Sequence, residues 1–260
     1  MSSPDRVLAR MAASLQAWQR ALGMAAAGGA VLQVGEFVGS VVPAAASRSI
    51  VNTVAGPIGV APRAAELAEL AGGYDSAGIV KWGLWMHEDE RAGQTAVEDA
   101  GLVLDSDPAA MALALADLPA PPEVEGVIVE RTSDLELLAA PLSAGYGFPP
   151  ALLVHGLPAL LDHAEGWLAR LDGVPVAGLL IVRCGDDAGV FMVATAPELR
   201  GRGAASAALH GALTRARAQG CDTSTLQSSV MGHPVYTRLG YHDLGRYLMF
   251  ERRDASGGSA

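Results

Sequence analysis

Residues 190–205 read Val-Phe-Met-Val-Ala-Thr-Ala-Pro-Glu-Leu-Arg-Gly-Arg-Gly-Ala-Ala. The β-branched and aromatic residues at the start predict a strand, and the alanine-rich residues after Gly203 predict a long helix over 203–219. A glycine-rich turn between a strand and a helix can hold a phosphate, because the first helical N–H groups have no internal partner and the helix dipole favours negative charge. The stretch therefore predicts a pyrophosphate site.

The residues of this turn suit an anionic ligand. Gly201 and Gly203 allow the backbone to approach the ligand closely, and Arg200 and Arg202 add cationic hydrogen-bond donors. The spacing is not that of a Walker A loop, because no Gly-Lys-Ser/Thr follows, and it is not the Gly-x-Gly-x-x-Gly dinucleotide fingerprint.

Two segments carry a resemblance to a known family. Residues 200–205 fit the pattern Gln/Arg-x-x-Gly-x-Gly/Ala, and they follow a strand and a proline. Residues 236–241 read Tyr-Thr-Arg-Leu-Gly-Tyr and fit Tyr-x-x-x-Gly-Phe/Tyr, after a short strand-like run at 226–229. In this order and spacing they resemble the GNAT superfamily of acetyl-CoA-dependent N-acetyltransferases, over roughly residues 123–253.

The resemblance implies a fold and a cofactor site. The fold is α/β (α+β), with a mixed, mostly antiparallel sheet flanked by helices. The acyl-pantetheine of acetyl-CoA pairs with one strand of that sheet like an added strand, and the helix N-terminus holds the pyrophosphate. The implied cofactor contacts are Val193, Ala194, Thr195, Arg200, Gly201, Arg202, Gly203, Ala204, Ala205, Ser206 and Ser229.

The resemblance also implies a catalytic residue. Tyr236 matches the family tyrosine that protonates the departing thiolate, a task that a phenol performs only when it is well positioned. Ser229 departs from the family pattern, since many members have asparagine seven residues before this tyrosine. Serine can still form a hydrogen bond, but its side chain is shorter.

Neither the general base nor the acceptor pocket is assigned by the sequence. Four residues are candidates for the base, and a water chain is an alternative to any of them: His155, His163, Glu165 and His233. Four aromatic residues are candidates for the lining of an acceptor pocket, although burial in a core is the commoner fate of such side chains: Trp82, Trp85, Trp167 and Tyr146.

The chain length suits one large domain or two small ones. The segment Pro-Ala-Pro-Pro at 119–122 predicts a linker between an α/β domain at 1–118 and a GNAT domain at 123–253, with a flexible tail at 254–260. We expect a β-α-β-α-β order in the first half, after a helix at 4–27. This half is either a degenerate copy of the GNAT fold or an unrelated α/β cap, and only the second half is expected to bind the cofactor.

Composition excludes several classes of function. The formal net charge is −10 and there is no basic tract, so nucleic acid is not an expected partner. The stretch 21–42 is too polar and too rich in glycine for a transmembrane helix, and no signal peptide is apparent. Cys184 and Cys221 suggest neither a disulfide framework nor a metal site, so we expect no metal and a reducing cytoplasm.

The leading hypothesis is an N-acetyltransferase, an acyltransferase of groups other than aminoacyl. It would transfer an acetyl group from acetyl-CoA to a primary amine of a small molecule, peptide or protein, by direct attack in a ternary complex. The alternatives are a non-catalytic acyl-CoA-binding regulatory module and a transferase for longer acyl groups. Members of the family are often dimers, so a homodimer is among the assemblies expected.

Overall fold

A computed structural model describes residues 3–253, and the predicted flexible tail at 254–260 lies outside the described residues. The helices, in chain order, are α1 (Pro4–Ala25), α2 (Ala64–Ser76), α3 (Arg91–Asp99), α4 (Leu135–Tyr146), α5 (Pro150–Val154), α6 (Leu160–His163), α7 (Ala204–Ala218) and α8 (His233–Arg238). The strands are β1 (Ala30–Val34), β2 (Phe37–Val41), β3 (Thr53–Ala55), β4 (Trp82–His87), β5 (Val103–Ser106), β6 (Ala109–Ala114), β7 (Val127–Thr132), β8 (Glu165–Leu171), β9 (Val174–Cys184), β10 (Asp187–Thr195), β11 (Thr223–Ser228) and β12 (His242–Arg252).

These strands form one 12-stranded sheet in the order β1-β2-β3-β4-β12-β6-β11-β10-β9-β8-β7, with β5 paired to β12 beside this path. Among the described strands, only β3–β4 and β10–β11 pair in parallel, and the other pairs are antiparallel. Helices flank the sheet. The expected mixed, mostly antiparallel α/β fold is therefore confirmed.

The two halves of the chain repeat one order of elements. In the second half, antiparallel β8, β9 and β10 are followed by α7, by β11 parallel to β10, and by α8. In the first half, antiparallel β1, β2 and β3 are followed by α2, by β4 parallel to β3, and by α3. This correspondence supports the degenerate-copy hypothesis over an unrelated cap, and we retain it as a proposal.

The halves also exchange strands. Strand β6, from the first half, lies between β11 and β12 of the second half. Strand β12 pairs through Tyr247–Arg252 with β4 of the first half. The predicted linker at 119–122 therefore leads away from a strand that is already built into the sheet of the second half.

Helix α1 ties the halves together from one face of the sheet. Its buried face includes Met11, Leu15 and Trp18, as the apolar spacing over 4–27 predicts. The ring of Trp18 stacks on Phe191 of β10, with centroids 4.8 Å apart and planes 6° apart. Burial of these large side chains is the main source of stability for this contact.

Parts of the predicted secondary structure of the first half are wrong. The glycine-rich stretch 21–42 contains the end of α1 and a hairpin, β1–β2, whose turn includes Gly35 at φ +55°. The apolar residues of 48–56 predict a single strand, but this segment is a 3₁₀ turn at Ser49–Val51 followed by the short β3. The hairpin is missing from the expected order, and 48–56 is expected to form one strand, because short apolar runs do not distinguish helix, strand and turn by periodicity alone. No helix of residues 3–253 is long and apolar enough to cross a bilayer.

Candidate active site

A cleft opens where two neighbouring strands diverge. Strands β10 and β11 pair in parallel only through Asp187–Gly189 and Thr223–Thr225. Beyond Gly189, this edge of β10 has no ladder partner among the described strands, whereas β11 stays paired with β6 on its other edge as far as Ser228. The backbone of Val190–Thr195 is therefore available to a ligand that pairs as a strand does.

A bulge interrupts β10 on the edge of this cleft. Phe191 is opposite Leu180 and Ala194 is opposite Gly178, so Met192 and Val193 together face one residue of β9. Met192 has φ +53°, a left-handed conformation that is uncommon for a residue other than glycine. A bulge leaves one residue out of the ladder and redirects its backbone groups.

The cleft is part of a large cavity of about 1370 Å³. Ligand sites commonly enclose about 300–1000 Å³, so the volume exceeds that of a usual site for one small ligand. All twelve residues predicted for the site line this cavity: Val193, Ala194, Thr195, Arg200, Gly201, Arg202, Gly203, Ala204, Ala205, Ser206, Ser229 and Tyr236. Their roles remain predictions, but the structure brings them together.

The turn before α7 has the backbone that a phosphate site requires. Gly201 and Gly203 have φ +78° and +76°, and Gly203 is the N-cap of α7. The first N–H groups of the helix, from Ala204 onward, have no intrahelical acceptor. Arg200 and Arg202 are exposed on the same turn, and Arg200 Nε lies 3.4 Å from the carbonyl oxygen of Thr195. Positive charge and free N–H groups therefore converge at this end of the cavity.

Tyr236 lies on the short helix α8 and is buried beside the cavity. Its ring packs edge-on against Tyr241, and a Cβ placed on Gly232 would lie only 2.9 Å from its Cε2 atom. Its hydroxyl has no hydrogen-bond partner within residues 3–253. Burial, and then the neighbouring Tyr146, raise the pKa of Tyr236 above its ordinary value. The phenol is therefore held in its protonated form, facing the cavity.

Ser229 directly follows β11, at the start of the turn that precedes α8. Its Oγ atom accepts a hydrogen bond from the backbone N–H of Gly232 at 3.2 Å. One lone pair of the hydroxyl is thus used within the turn, but its O–H remains able to donate to a ligand.

The candidates for the general base do not converge on the cavity. His155 and His163 are exposed, and neither they nor Glu165 lines it. Glu165 lies between Arg183 Nε at 3.6 Å and Arg215 Nε at 3.5 Å.

The fourth candidate, His233, is also occupied elsewhere. Its Nε2 atom pairs with Asp243 Oδ1 at 2.8 Å, and the residue does not line the cavity. None of the four therefore has the placement that a base acting within this cavity would need.

The aromatic candidates for an acceptor pocket divide into two pairs. Trp85 and Tyr146 line the cavity. Trp82 stacks on Tyr74 in the core of the first half, and Trp167 packs within the core of the second. Burial raises the pKa of Tyr146 to about 12, so this second phenol beside Tyr236 also stays protonated.

Apart from Trp85, the sequence did not indicate which residues of the first half build part of the cavity wall. Residues of α1, β3 and the 3₁₀ turn at 49–51 line it, although they lie more than 130 positions from the glycine turn. Five residues contribute in this way: Leu15, Trp18, Ile50, Val51 and Thr53. No local pattern signals them, because the exchange of strands brings them to the cavity.

The corresponding cleft of the first half is closed by its own side chains. The space beside β3 and β4 is about 10 Å³, too small for a ligand, and is lined by Phe37, Trp85 and Met86. In the loop before α2, the Gly59 N–H donates to Glu90 Oε1 at 2.8 Å, and the Arg63 N–H donates to Glu66 Oε2 at 2.9 Å. Internal carboxylates thus take the amides that a phosphate would need.

Comparisons with known proteins agree with this geometry. The Acetyltransferase (GNAT) family model matches residues 135–241. A GCN5-related N-acetyltransferase from Kribbella flavida has a similar fold, with a TM-score of 0.68 and 21% identity over 99% of this chain and 97% of that chain. A GCN5-related N-acetyltransferase from Sphaerobacter thermophilus gives a TM-score of 0.60 and 19% identity over 84% of this chain and 76% of that chain.

A third similar structure is a tandem GNAT protein from the clavulanic acid biosynthesis pathway. Its TM-score is 0.53, with 15% identity over 80% of this chain and 76% of that chain. No curated protein matches the chain in sequence.

The chain therefore carries an acetyltransferase domain of the GNAT family at residues 135–241. The matched segment begins with α4 and ends before β12, so it contains the bulge, the glycine turn and Tyr236. The fold matches extend over nearly the whole chain, and they show that both halves take part in one architecture.

Proposed function

We propose that the protein is an N-acetyltransferase that transfers the acetyl group of acetyl-CoA to a primary amine in a ternary complex. The observation that carries the proposal is the convergence, in one cavity, of the opened edge of β10, the glycine turn before α7 and the unpartnered hydroxyl of Tyr236. The family supports acyl transfer, and the use of acetyl-CoA and an amine acceptor is our inference.

The residues of the cavity would divide the work of the reaction. The N–H groups from Gly201 to Ser206, with Arg200 and Arg202, would bind the pyrophosphate. Backbone groups of Val193–Thr195 would pair with the pantetheine arm. A backbone N–H released at the bulge would donate to the thioester carbonyl oxygen as negative charge develops there.

Transfer would then proceed by attack of the neutral amine nitrogen on the thioester carbon. A C–N bond forms, the C–S bond breaks, and the thiolate takes a proton from the Tyr236 hydroxyl. The proton that the amine nitrogen loses would leave through water, since none of the four candidate bases lines the cavity. The phenolate would be reprotonated from solvent as coenzyme A departs.

Two domain-level features belong to the same proposal. Residues 1–118 would be a degenerate GNAT-like unit that binds no cofactor, because its cleft is closed by its own carboxylates and aromatic rings. The free cysteines Cys184 and Cys221 are consistent with a reducing compartment such as the cytoplasm.

Calorimetric titration with acetyl-CoA tests the binding step. We expect micromolar affinity for the wild type and its loss in Arg202→Glu and Gly203→Glu, each verified as folded by circular dichroism. Absence of binding by the folded wild type would refute the proposal.

Substitution of Tyr236 separates an enzyme from a binding module. Tyr236→Phe should bind acetyl-CoA normally but release thiol at least about 10²-fold more slowly, the scale of general acid catalysis. Tyr74→Phe is the matched control, because the Tyr74 hydroxyl is buried, without a partner in the described residues, and away from the cavity. Equal, measurable rates in the two variants would show that another group protonates the thiolate. Absence of thiol release above background from the wild type and both variants would favour a non-catalytic acyl-CoA-binding module.

A further inference from the structure

The cavity has two chemically different ends, and strand β10 connects them. Thr195 leads into the glycine turn at one end. Phe191 lies four residues earlier, which is about 13 Å along a strand at roughly 3.3 Å per residue. The site proposed for the pyrophosphate and the ring of Phe191 are therefore well separated within the cavity.

The end near Phe191 forms an apolar chamber, lined by Trp18, Ile50, Val51, Trp85, Phe148 and Phe191. Trp18, Val51, Phe148 and Phe191 belong to one hydrophobic cluster, against which Trp85 packs. Ala204 and Tyr236 belong to a different cluster on the other side of the cavity. The first half of the chain thus supplies the wall that faces the proposed chemistry.

Among the residues that line the cavity, no unpaired carboxylate points into this chamber. Glu123 and Glu125 flank Val124, which lies beside Gly203 at the phosphate end. The third lining carboxylate, Asp107, has its Oδ2 atom 3.4 Å from Nη1 of Arg246. A polycationic molecule would find little charge to offset its desolvation here.

The chamber reaches solvent at its own end. Ile50 lines it, yet its side chain is 42% exposed. An acceptor that enters beside Ile50 would therefore not pass the glycine turn. An acyl chain that arrives attached to coenzyme A would need no such opening, whereas an independent acceptor would.

We infer that the acceptor is a primary amine on an uncharged, apolar body, such as an arylalkylamine or a branched alkylamine. The body would lie against Ile50 and Trp85 while the amine nitrogen points toward the bulge in β10. The inference rests on the proposed function and extends it to the substrate class. Ile50 would be a specificity-determining residue at the mouth of the chamber.

Kinetics with a pair of amines tests this class. For the wild type we expect kcat/KM to be at least tenfold higher for phenethylamine than for spermidine. Ile50→Asp should raise the KM for phenethylamine at least tenfold and favour spermidine, with the KM for acetyl-CoA unchanged. The matched control is Ile128→Asp on the edge strand β7, where Ile128 is 62% exposed and does not line the cavity.

A preference of the wild type for spermidine would overturn the inference, and so would an equal response of the two aspartate variants. An effect of Ile50→Asp that is confined to reactions with octanoyl-CoA would also overturn it, because the chamber would then hold an acyl chain. Turnover with any of these results leaves the proposed function standing. Quenching of tryptophan fluorescence by phenethylamine measures binding of the amine in the chamber without requiring turnover. Phenethylamine, but not spermidine, should quench the fluorescence, and Ile50→Asp should abolish the quenching. This result would support the chamber even if acetyl-CoA does not bind. Absence of quenching in the wild type would refute the chamber.

Discussion

At the scale of residues, two glycines of the candidate site have left-handed backbone conformations that other residues rarely adopt. Gly203 combines φ +76° with a close neighbour, since a Cβ there would lie 2.9 Å from Cγ2 of Val124. Gly201 has a similar φ but open space around it. These two glycines therefore permit separate tests of backbone strain and of crowding.

Three glycine substitutions should have graded effects. Gly203→Ala should weaken acetyl-CoA binding the most, because it adds a collision with Val124 to a left-handed strain of about 1–2 kcal/mol. Gly201→Ala should weaken it less. Gly220→Ala, at φ +97° beyond the far end of α7 with open space around it, should lower stability without changing affinity. Titration calorimetry with urea unfolding measures both quantities, and equal affinities in all three variants would contradict the assignment of the turn.

The titration of Tyr236 gives a prediction about pH. Because burial raises its pKa, the hydroxyl should remain a proton donor up to pH 10, and kcat should show no falling limb below that pH. The test is the pH profile of the wild-type kcat at saturating substrates, corrected for thioester hydrolysis. A fall near pH 9 that disappears in Tyr236→Phe would show that the phenol ionises earlier than its burial predicts.

At the scale of elements, a buried carboxylate joins α1 to the sheet. Asp187 is fully buried at the start of β10 and accepts hydrogen bonds from Ser14 of α1 at 2.6 Å and from Thr223 and Thr225 of β11 at 2.9 and 2.7 Å. The same helix carries Trp18 to Phe191, so the docking of α1 shapes the cavity.

The pKa of Asp187 determines how this junction responds to pH. Burial raises the pKa, and the hydrogen bonds and Arg10 oppose that shift only in part. The folded state therefore favours the protonated carboxyl, so this residue's contribution to the free energy of unfolding should fall as pH rises from its ordinary pKa through the raised value.

Urea unfolding of the wild type and of Asp187→Asn isolates the contribution of Asp187 ionisation to the free energy of unfolding. The stability of the wild type minus that of the variant should be larger at pH 4 than at pH 7, because asparagine cannot ionise. Any pH dependence shared by both proteins cancels in the difference. An identical difference at the two pH values would show that the folded-state pKa of Asp187 is not raised.

At the scale of the whole molecule, the exchange of β6 and β12 makes the halves interdependent. Without the first half, β12 loses its partners β4, β5 and β6, and β11 presents an open edge. Without the second half, β6 loses β11 and β12. Unpaired strand edges expose backbone groups and favour aggregation.

Separate expression of residues 1–118 and 123–253 tests this interdependence. We expect neither piece to unfold cooperatively on heating, as followed by circular dichroism, and we expect co-expression to recover acetyl-CoA binding. A piece 123–253 that is folded alone and binds acetyl-CoA would show that the second half is autonomous and that the shared strands are dispensable.

The sequence by itself determined the features that depend on local chemistry. The strand, glycine turn and helix at 187–218 follow from periodicity and from residues that tolerate a left-handed backbone, and α1 follows from its apolar spacing. The resemblance to the GNAT family, rather than periodicity, predicted a shared site for Gly203, Tyr236 and Ser229. All three line one cavity in the structure, and their roles stay predictions.

Only the tertiary structure decided the features that depend on contacts distant in sequence. The bulge at Met192, the insertion of β6 beside β11, and the apolar chamber built with Trp18 and Ile50 have no local signature. Strand pairing depends on which edges are free once the rest of the sheet has formed, and a cavity wall depends on which helix docks against that sheet. The hairpin β1–β2 and strand β6 were not predicted for the same reason, since long-range pairing, rather than their own periodicity, stabilises them.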